Sequence, residues 1–227
     1  MTFPTNLMAT DINKLKQAAL SSLENPGLGA EMPKTNKSKK PILYLFRHTQ
    51  TEDNVNRVFS GNRRNPKLTV EGKKQAKQLA EKLKDKQIDL FISPPLLRCE
   101  QTLIPLRHYF PNIPYEQKKE LVERDYGDLT GKNKLEIMKL NPEKAILWRR
   151  SWDTAPPNGE SIKQVWEGRI KQFCLWLEKK MQTEKINVAY SGTNNTVRLI
   201  RMYFEKLSIE QMLTIENPYG DYASYSL

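Results

Sequence analysis

Two histidines occur in 227 residues, His48 and His108. The first follows Arg47, where the apolar run "PILYLF" stops abruptly. A second apolar run, "IDLFIS", is followed by "PPLLR", which brings in Arg98. Two arginines and one histidine at such ends suit a phosphoryl group. Guanidinium forks match phosphate oxygens in geometry and stay charged. A neutral imidazole nitrogen can attack phosphorus and carry the phosphoryl group covalently. The arginines would offset charge building on the equatorial oxygens. A leaving alkoxide also needs a proton, ideally from a carboxylic acid in the same pocket. Taken alone, the Arg-His pair fits a loop histidine beside a solvated arginine better than a site, so the rest of the chain must decide.

The elements that must position these residues read as α/β. "PILYLF", "IDLFIS" and "INVAYSG" are short buried-strand patterns. Between the first two, "LTVEGKKQAKQLAEKLKDK" places Val70, Ala76, Leu79, Ala80 and Leu83 near helical spacing, with lysines opposite. "PPLLRCEQTLIPLRHYF" predicts a helix with prolines at its start, where a missing N–H costs little. "SIKQ" at Ser161 and "SIEQ" at Ser208 are capping-box patterns that open helices. Strands alternating with helices imply a three-layer α/β/α sandwich around a mainly parallel sheet. In such folds ligands sit beyond the carboxyl ends of the strands.

Residues 1–40 differ from the rest. "DINKLKQAALSSL" predicts a short helix with Ile12, Leu15 and Ala19 on one face. "ENPGLGAEMPKTNKSKK" carries Pro, Gly and Lys without a core pattern. The expectation is a flexible basic arm over 1–40 and one domain over 41–227.

The net charge of +11 favours anionic partners. An anionic phosphorylated small molecule is the expected one. No basic run interleaves with aromatics as in a nucleic-acid module, so nucleic acid is not favoured. No apolar run is long enough to span a membrane, and the N-terminus lacks the order of a signal peptide. A cytoplasmic protein is expected. The two cysteines, Cys99 and Cys174, form neither a disulfide framework nor a metal spacing. No metal is expected, and a homodimer is left open.

"LFRHTQTEDNVNRVFSG", "LTVEGKKQAKQLAEKL", "SPPLLRCEQT" and "LVERDYGDLTGKNK" arrive in order. Together they resemble the histidine phosphatase superfamily, also called the phosphoglycerate mutase-like family, from about residue 41 to the C-terminus. "ERDYGDLTGKNK", "WRRSWD" and "NPYGDYASYSL" look like the cofactor-dependent mutase branch in particular. The resemblance implies that His48 is the phosphorylated nucleophile. It implies that Arg47 and Arg98 clamp the phosphoryl group and that Glu123 protonates the leaving oxygen. Asn54 matches a pocket asparagine. Tyr126, Lys134, Arg149 and Arg150 fall where the mutase branch holds the substrate's carboxylate and distal phosphate. The family needs no cofactor, except that a true mutase is primed by 2,3-bisphosphoglycerate.

Three departures stand out. Thr49 follows the histidine where the family commonly has glycine, and threonine lacks glycine's freedom at positive φ. The family's second histidine, five residues before an arginine, is missing. Aligning "TNNTVR" on Arg198 puts Thr193 there, and a two-residue slip would put Ser191. Its loss removes a preorganised donor, a deletion that elsewhere costs roughly 10²–10³ in turnover. Thr193, Asn194 and Asn195 are the neutral donors that could stand in. Lastly, the mutase branch's long insertion after "WRRSWD" and its extended tail are absent, since "TAPPNGES" closes the gap directly. An open pocket would let water reach a phosphohistidine, which shifts the expectation toward hydrolysis.

Three functions follow. The first is a metal-independent phosphatase acting on small phosphorylated metabolites, weakened by the missing histidine. The second is a silent phospho-ligand-binding or interaction module. The third is a phosphoglycerate mutase.

Overall fold

The computed structural model describes residues 12–35 and 41–227. In chain order the helices are α1 (Ile12–Glu24), α2 (Glu52–Val55), α3 (Val70–Leu83), α4 (Leu97–Arg107), α5 (Lys134–Leu140), α6 (Pro142–Arg150), α7 (Ile162–Val165), α8 (Lys171–Glu184), α9 (Asn194–Glu205) and α10 (Ile209–Thr214). A π turn, Trp166–Ile170, joins α7 to α8. The strands are β1 (Ile42–Arg47), β2 (Leu90–Ser93), β3 (Tyr115–Gln117), β4 (Val188–Gly192) and β5 (Ala223–Ser226).

The sheet runs β3-β2-β4-β1-β5. Its β1–β4, β2–β4 and β2–β3 pairs are parallel, and only β5 runs antiparallel, against β1. Alternation along β1 sets the layers, because successive side chains point to opposite faces. Leu43 and Leu45 join the core that holds α8, α9 and α10, while Ile42, Tyr44 and Phe46 join the one that holds α3 and α4. The result is a mainly parallel sheet between two helical layers, as the sequence predicts. Strands β3 and β5 were not apparent in the sequence. No helix among the described residues is long and apolar enough to cross a membrane.

The topology creates a crevice. Strands β1 and β4 are parallel neighbours, with Arg47 level with Gly192. After β1 the chain turns toward α3 on one face, and after β4 it enters α9 on the other. Neighbouring strands whose connections leave on opposite faces open a gap at their carboxyl ends. His48 sits there, its amide donating to the carbonyl of Gly192 at 2.8 Å.

Local chemistry fixes the ends that matter. Ser161 and Ser208 each form the predicted capping box, accepting from Gln164 and Gln211 amides. Thr51 and Asn54 form another at α2, directly after the histidine loop.

Where the sequence suggests a flexible arm, residues 12–35 pack against the domain. Leu15, Ala19 and Met32 enter the main core. Leu23 is buried, whereas Ile12 of the predicted apolar face is exposed. Lys14 pairs with Glu210 of α10 at 2.7 Å, and the Met32 amide donates to Asp221 at 2.9 Å. A helix of this length is marginal alone, so its stability comes from that packing. Residues 1–11 and 36–40 of the expected arm lie outside the described residues.

Candidate active site

The β1/β4 crevice opens into a cleft of about 100 Å³. His48, Arg47, Arg98, Glu123, Asn54, Tyr126, Lys134, Arg149, Arg150, Asn194 and Asn195 all line it. Arg57 and Arg198 do too, so among the described residues seven cations face two carboxylates, Glu123 and Glu216. Anions are the ligands such a basin favours.

His48 is buried. Its Nδ1 lies 2.8 Å from the carbonyl oxygen of Thr49. A carbonyl only accepts, so Nδ1 carries the proton and Nε2 keeps its lone pair. Burial, then the charges of Arg98 and Arg47, hold its pKa well below 6.5. The imidazole is therefore neutral near pH 7, the form able to attack phosphorus.

The arginines around it are held by backbone. Arg98 donates to the carbonyls of Gly61 at 2.9 Å and Arg64 at 3.1 Å. Gly61 has φ +58°, a left-handed turn that suits glycine. The guanidinium of Arg47 lies 4.7 Å over the ring of Tyr219 and donates to the carbonyl of Asn217. Its Nε is buried with no acceptor among the described residues. A buried donor without a partner costs free energy, which an oxyanion would relieve. Asn54 accepts with Oδ1 from the amide and hydroxyl of Thr51, which leaves its NH₂ group as the donor it can offer.

Glu123 is clamped by donors. Its Oε1 accepts from the Arg124 amide and from Asn195 Nδ2, both at 2.8 Å, and its Oε2 from the Asn195 amide at 3.3 Å. Asn195 also donates to the Tyr126 hydroxyl at 3.2 Å and accepts from Arg198. Arg124 is itself wholly buried, reaching the carbonyls of Trp148, Arg149 and Glu160. It ties the "ERDYG" segment to the "WRR" end of α6.

Three cations of the cleft have pKa values lowered by burial. Lys134 opens α5, its Nζ 5.6 Å from the Phe59 ring centroid. Burial, then Arg149 and Arg47, pull its pKa down to about 7, while Asp53 and Glu216 pull weakly the other way. Burial and Arg150 lower Arg149 to about 10 and Arg198 to about 9, so both stay charged near neutrality.

The place of the missing imidazole is filled differently from the sequence expectation. Thr193 does not line the cleft; its hydroxyl pairs with that of Thr196 at 3.0 Å. Asn194 and Asn195 do line it, but their amides are already given to Glu216 and Glu123. What faces the basin is the N-terminal end of α9, whose Asn195 amide meets Glu123. A helix N-terminus carries partial positive charge without an added side chain. His108 lies exposed at the end of α4, with Nδ1 near the Ile104 carbonyl.

Thr49 is also accommodated. It is absent from the residues at positive φ, so no glycine is required there. Its hydroxyl donates to the carbonyl of Gly72 at 2.8 Å, and its amide donates to Thr102.

Three features escaped the sequence reading. Glu216, just after α10, contacts Arg150 and accepts from Asn194 at 3.2 Å. Burial would raise its pKa, but Arg150, Arg198 and Arg47 hold it at about 2. Arg198 faces the cleft as well as marking the motif. The third is α1 with the turn after it: Ser22, Leu23, Pro26 and Gly27 line the cleft that the sequence suggests is open.

Comparison with known proteins gives the family and the fold. The family model "Histidine phosphatase superfamily (branch 1)" matches residues 43–227. The 2,3-bisphosphoglycerate-dependent phosphoglycerate mutase of Nitrobacter hamburgensis is 37% identical over 192 residues, covering 82% of this chain and 91% of that one. The mutase of the same name from Parvibaculum lavamentivorans is 34% identical over 82% of this chain and 90% of its own. Among solved structures, the α-ribazole phosphatase of Shigella flexneri superposes with a TM-score of 0.71 at 24% identity, covering 81% of this chain and 89% of that one. The mycobacterial glucosyl-3-phosphoglycerate phosphatase gives a TM-score of 0.69 at 21% identity, covering 81% and 88%. At these identities the structures speak for the fold, whereas the family model and the mutase relatives speak for descent: the chain belongs to the histidine phosphatase superfamily, branch 1.

Proposed function

We propose that this protein is a phosphatase that hydrolyses small phosphorylated metabolites through a phosphohistidine at His48, without a metal. The observation that carries the proposal is the convergence of His48, Arg47, Arg98 and Glu123 on one basic cleft. The Nε2 lone pair of His48 attacks phosphorus, and the ester oxygen leaves with a proton from Glu123. Arg47, Arg98 and the N-terminal end of α9 stabilise the equatorial oxygens in place of a second imidazole. A water then attacks the phosphohistidine and gives its proton back to Glu123. Inorganic phosphate leaves, and His48 is neutral again.

Supporting hydrolysis over transfer is the state of Arg149 and Arg150. The family resemblance assigns them to a substrate's distal anionic groups. Here Arg149 donates to the carbonyl of Ala19 and to Ser22, both at 2.9 Å, and Arg150 to the carbonyls of Ala18 and Leu213, both at 3.1 Å. The test is phosphate release from a panel of small phosphomonoesters, with His48→Ala as control. Release above the control by at least about a hundredfold is expected, since this is a nucleophile deletion; equal background release from both proteins rejects turnover.

The second reading is a phosphoglycerate mutase. It is favoured by the mutase relatives and by Lys134, Arg149 and Arg150 sharing the cleft. Interconversion of 3- and 2-phosphoglycerate after priming with 2,3-bisphosphoglycerate would establish it, and phosphate release alone would exclude it. A silent binding module is the outcome if vanadate binds and no phosphomonoester turns over.

A further inference from the structure

Residues 12–35 do more than pack on the domain. Ser22, Leu23, Pro26 and Gly27 build part of the cleft's wall. The main-chain carbonyls of Ala18 and Ala19 and the hydroxyl of Ser22 hold the guanidinium groups of Arg149 and Arg150. The Leu23 carbonyl accepts from Arg57 Nε at 3.1 Å. The Gly27 carbonyl accepts from the amide of Tyr219, whose ring lies under Arg47. The free space left is about 100 Å³, small against the roughly 300–1,000 Å³ of drug-sized ligand pockets.

We propose that this N-terminal segment is the specificity wall of the cleft, seated by Lys14, Leu15 and Ala19, and that it restricts the site to phosphomonoesters whose remaining part is short. The proposal rests on the reading of the cleft as a phosphoryl site. A phosphate at His48 meets Arg47 and Arg98, which the wall leaves in place. The rest of the ester then runs into α1 and its turn. A bulky group must displace them, and with them the contacts to Arg57, Arg149 and Arg150. A short group need not.

Two variants of the full chain unseat the wall by different means. Leu15→Asp puts a charge into the face of α1 that enters the core. Lys14→Glu sets like charge against Glu210 on the surface and leaves the core untouched. Tryptic cleavage at Lys16 reports unseating. Competition against orthovanadate then compares glycerol 3-phosphate with adenosine 5′-monophosphate. Wild type is expected to bind vanadate, resist cleavage and prefer the glycerol ester. At least one variant should be cleaved faster and lose that preference by about tenfold or more, the scale of pocket discrimination, chiefly because the nucleotide binds better. An unchanged preference in a cleaved variant overturns the proposal, as does a wall that resists cleavage in both. If wild type binds no vanadate, it is the phosphoryl-site reading that fails instead.

Discussion

The Nδ1 of His48 and the carbonyl oxygen of Thr49 lie 2.8 Å apart, which pins the imidazole in the tautomer that bares Nε2. Burial, Arg98 and Arg47 keep that ring neutral. The unfolded chain would take up a proton near the ordinary 6.5, and the folded one only at lower pH. His48 should therefore show no titration between about pH 6 and 8. Ring ¹⁵N spectra check this, with His108→Gln removing the other imidazole. A titration midpoint at or above 6.5 would contradict the electrostatics described.

Glu216 supplies the counter-charge for Arg150 and Arg198. Its folded pKa of about 2 lies below the ordinary 4.5, so its contribution to stability is complete above 4.5 and fades as pH falls toward 2. Removing one partner of a buried pair leaves the other charge unmatched. Glu216→Gln should cost about 3–5 kcal/mol at pH 7. Urea unfolding at pH 7 and pH 3 measures it, and the penalty should shrink at the lower pH.

Lys134 sits charged in a cationic cleft and releases its proton near pH 7. A bound anion raises that pKa. Binding therefore takes up a proton above pH 7, and affinity falls as pH rises. Sulfate makes a clean probe, because it does not itself titrate in this range. Its affinity should fall by up to about tenfold per pH unit above 7 and be nearly flat below, as one linked proton requires. Calorimetry on wild type and Lys134→Met checks this; a slope that survives the substitution assigns it elsewhere.

Thr49 fills a site where glycine is the family habit. It is fully buried, bonded to Gly72 and Thr102, and free of positive φ. Thr49→Gly should therefore destabilise, by about 1–2 kcal/mol from the lost hydrogen bond and the added chain entropy. A raised melting temperature would mean that the loop is strained.

Much of the site was legible because its residues stand at sequence landmarks. Arg47-His48 closes a strand, Arg98 follows another, and Glu123 opens a recognisable block. The capping boxes at Ser161 and Ser208 were readable for the same reason: both partners lie within four residues. What escaped depends on contacts between distant segments. Glu216 looks like any acidic residue until Arg150 and Arg198 surround it. The helical period of α1 shows an apolar stripe, but not the surface that stripe meets. The three residues of β3 and four of β5 are too few to show a period. The vacancy left by the second histidine pointed to nearby hydroxyl and amide groups. The threonine turned inward, and the asparagines were taken by Glu123 and Glu216.

The central claim is a covalent phosphoryl group on one nitrogen. Mixing the protein with a small phosphomonoester, quenching rapidly in base and mapping the peptide that carries acid-labile phosphate tests it directly. The account predicts phosphohistidine at His48 that forms within a turnover, decays to inorganic phosphate, and is absent from His48→Ala. Phosphate release at the wild-type rate from His48→Ala, or a phosphoryl group trapped on any other residue, would contradict it.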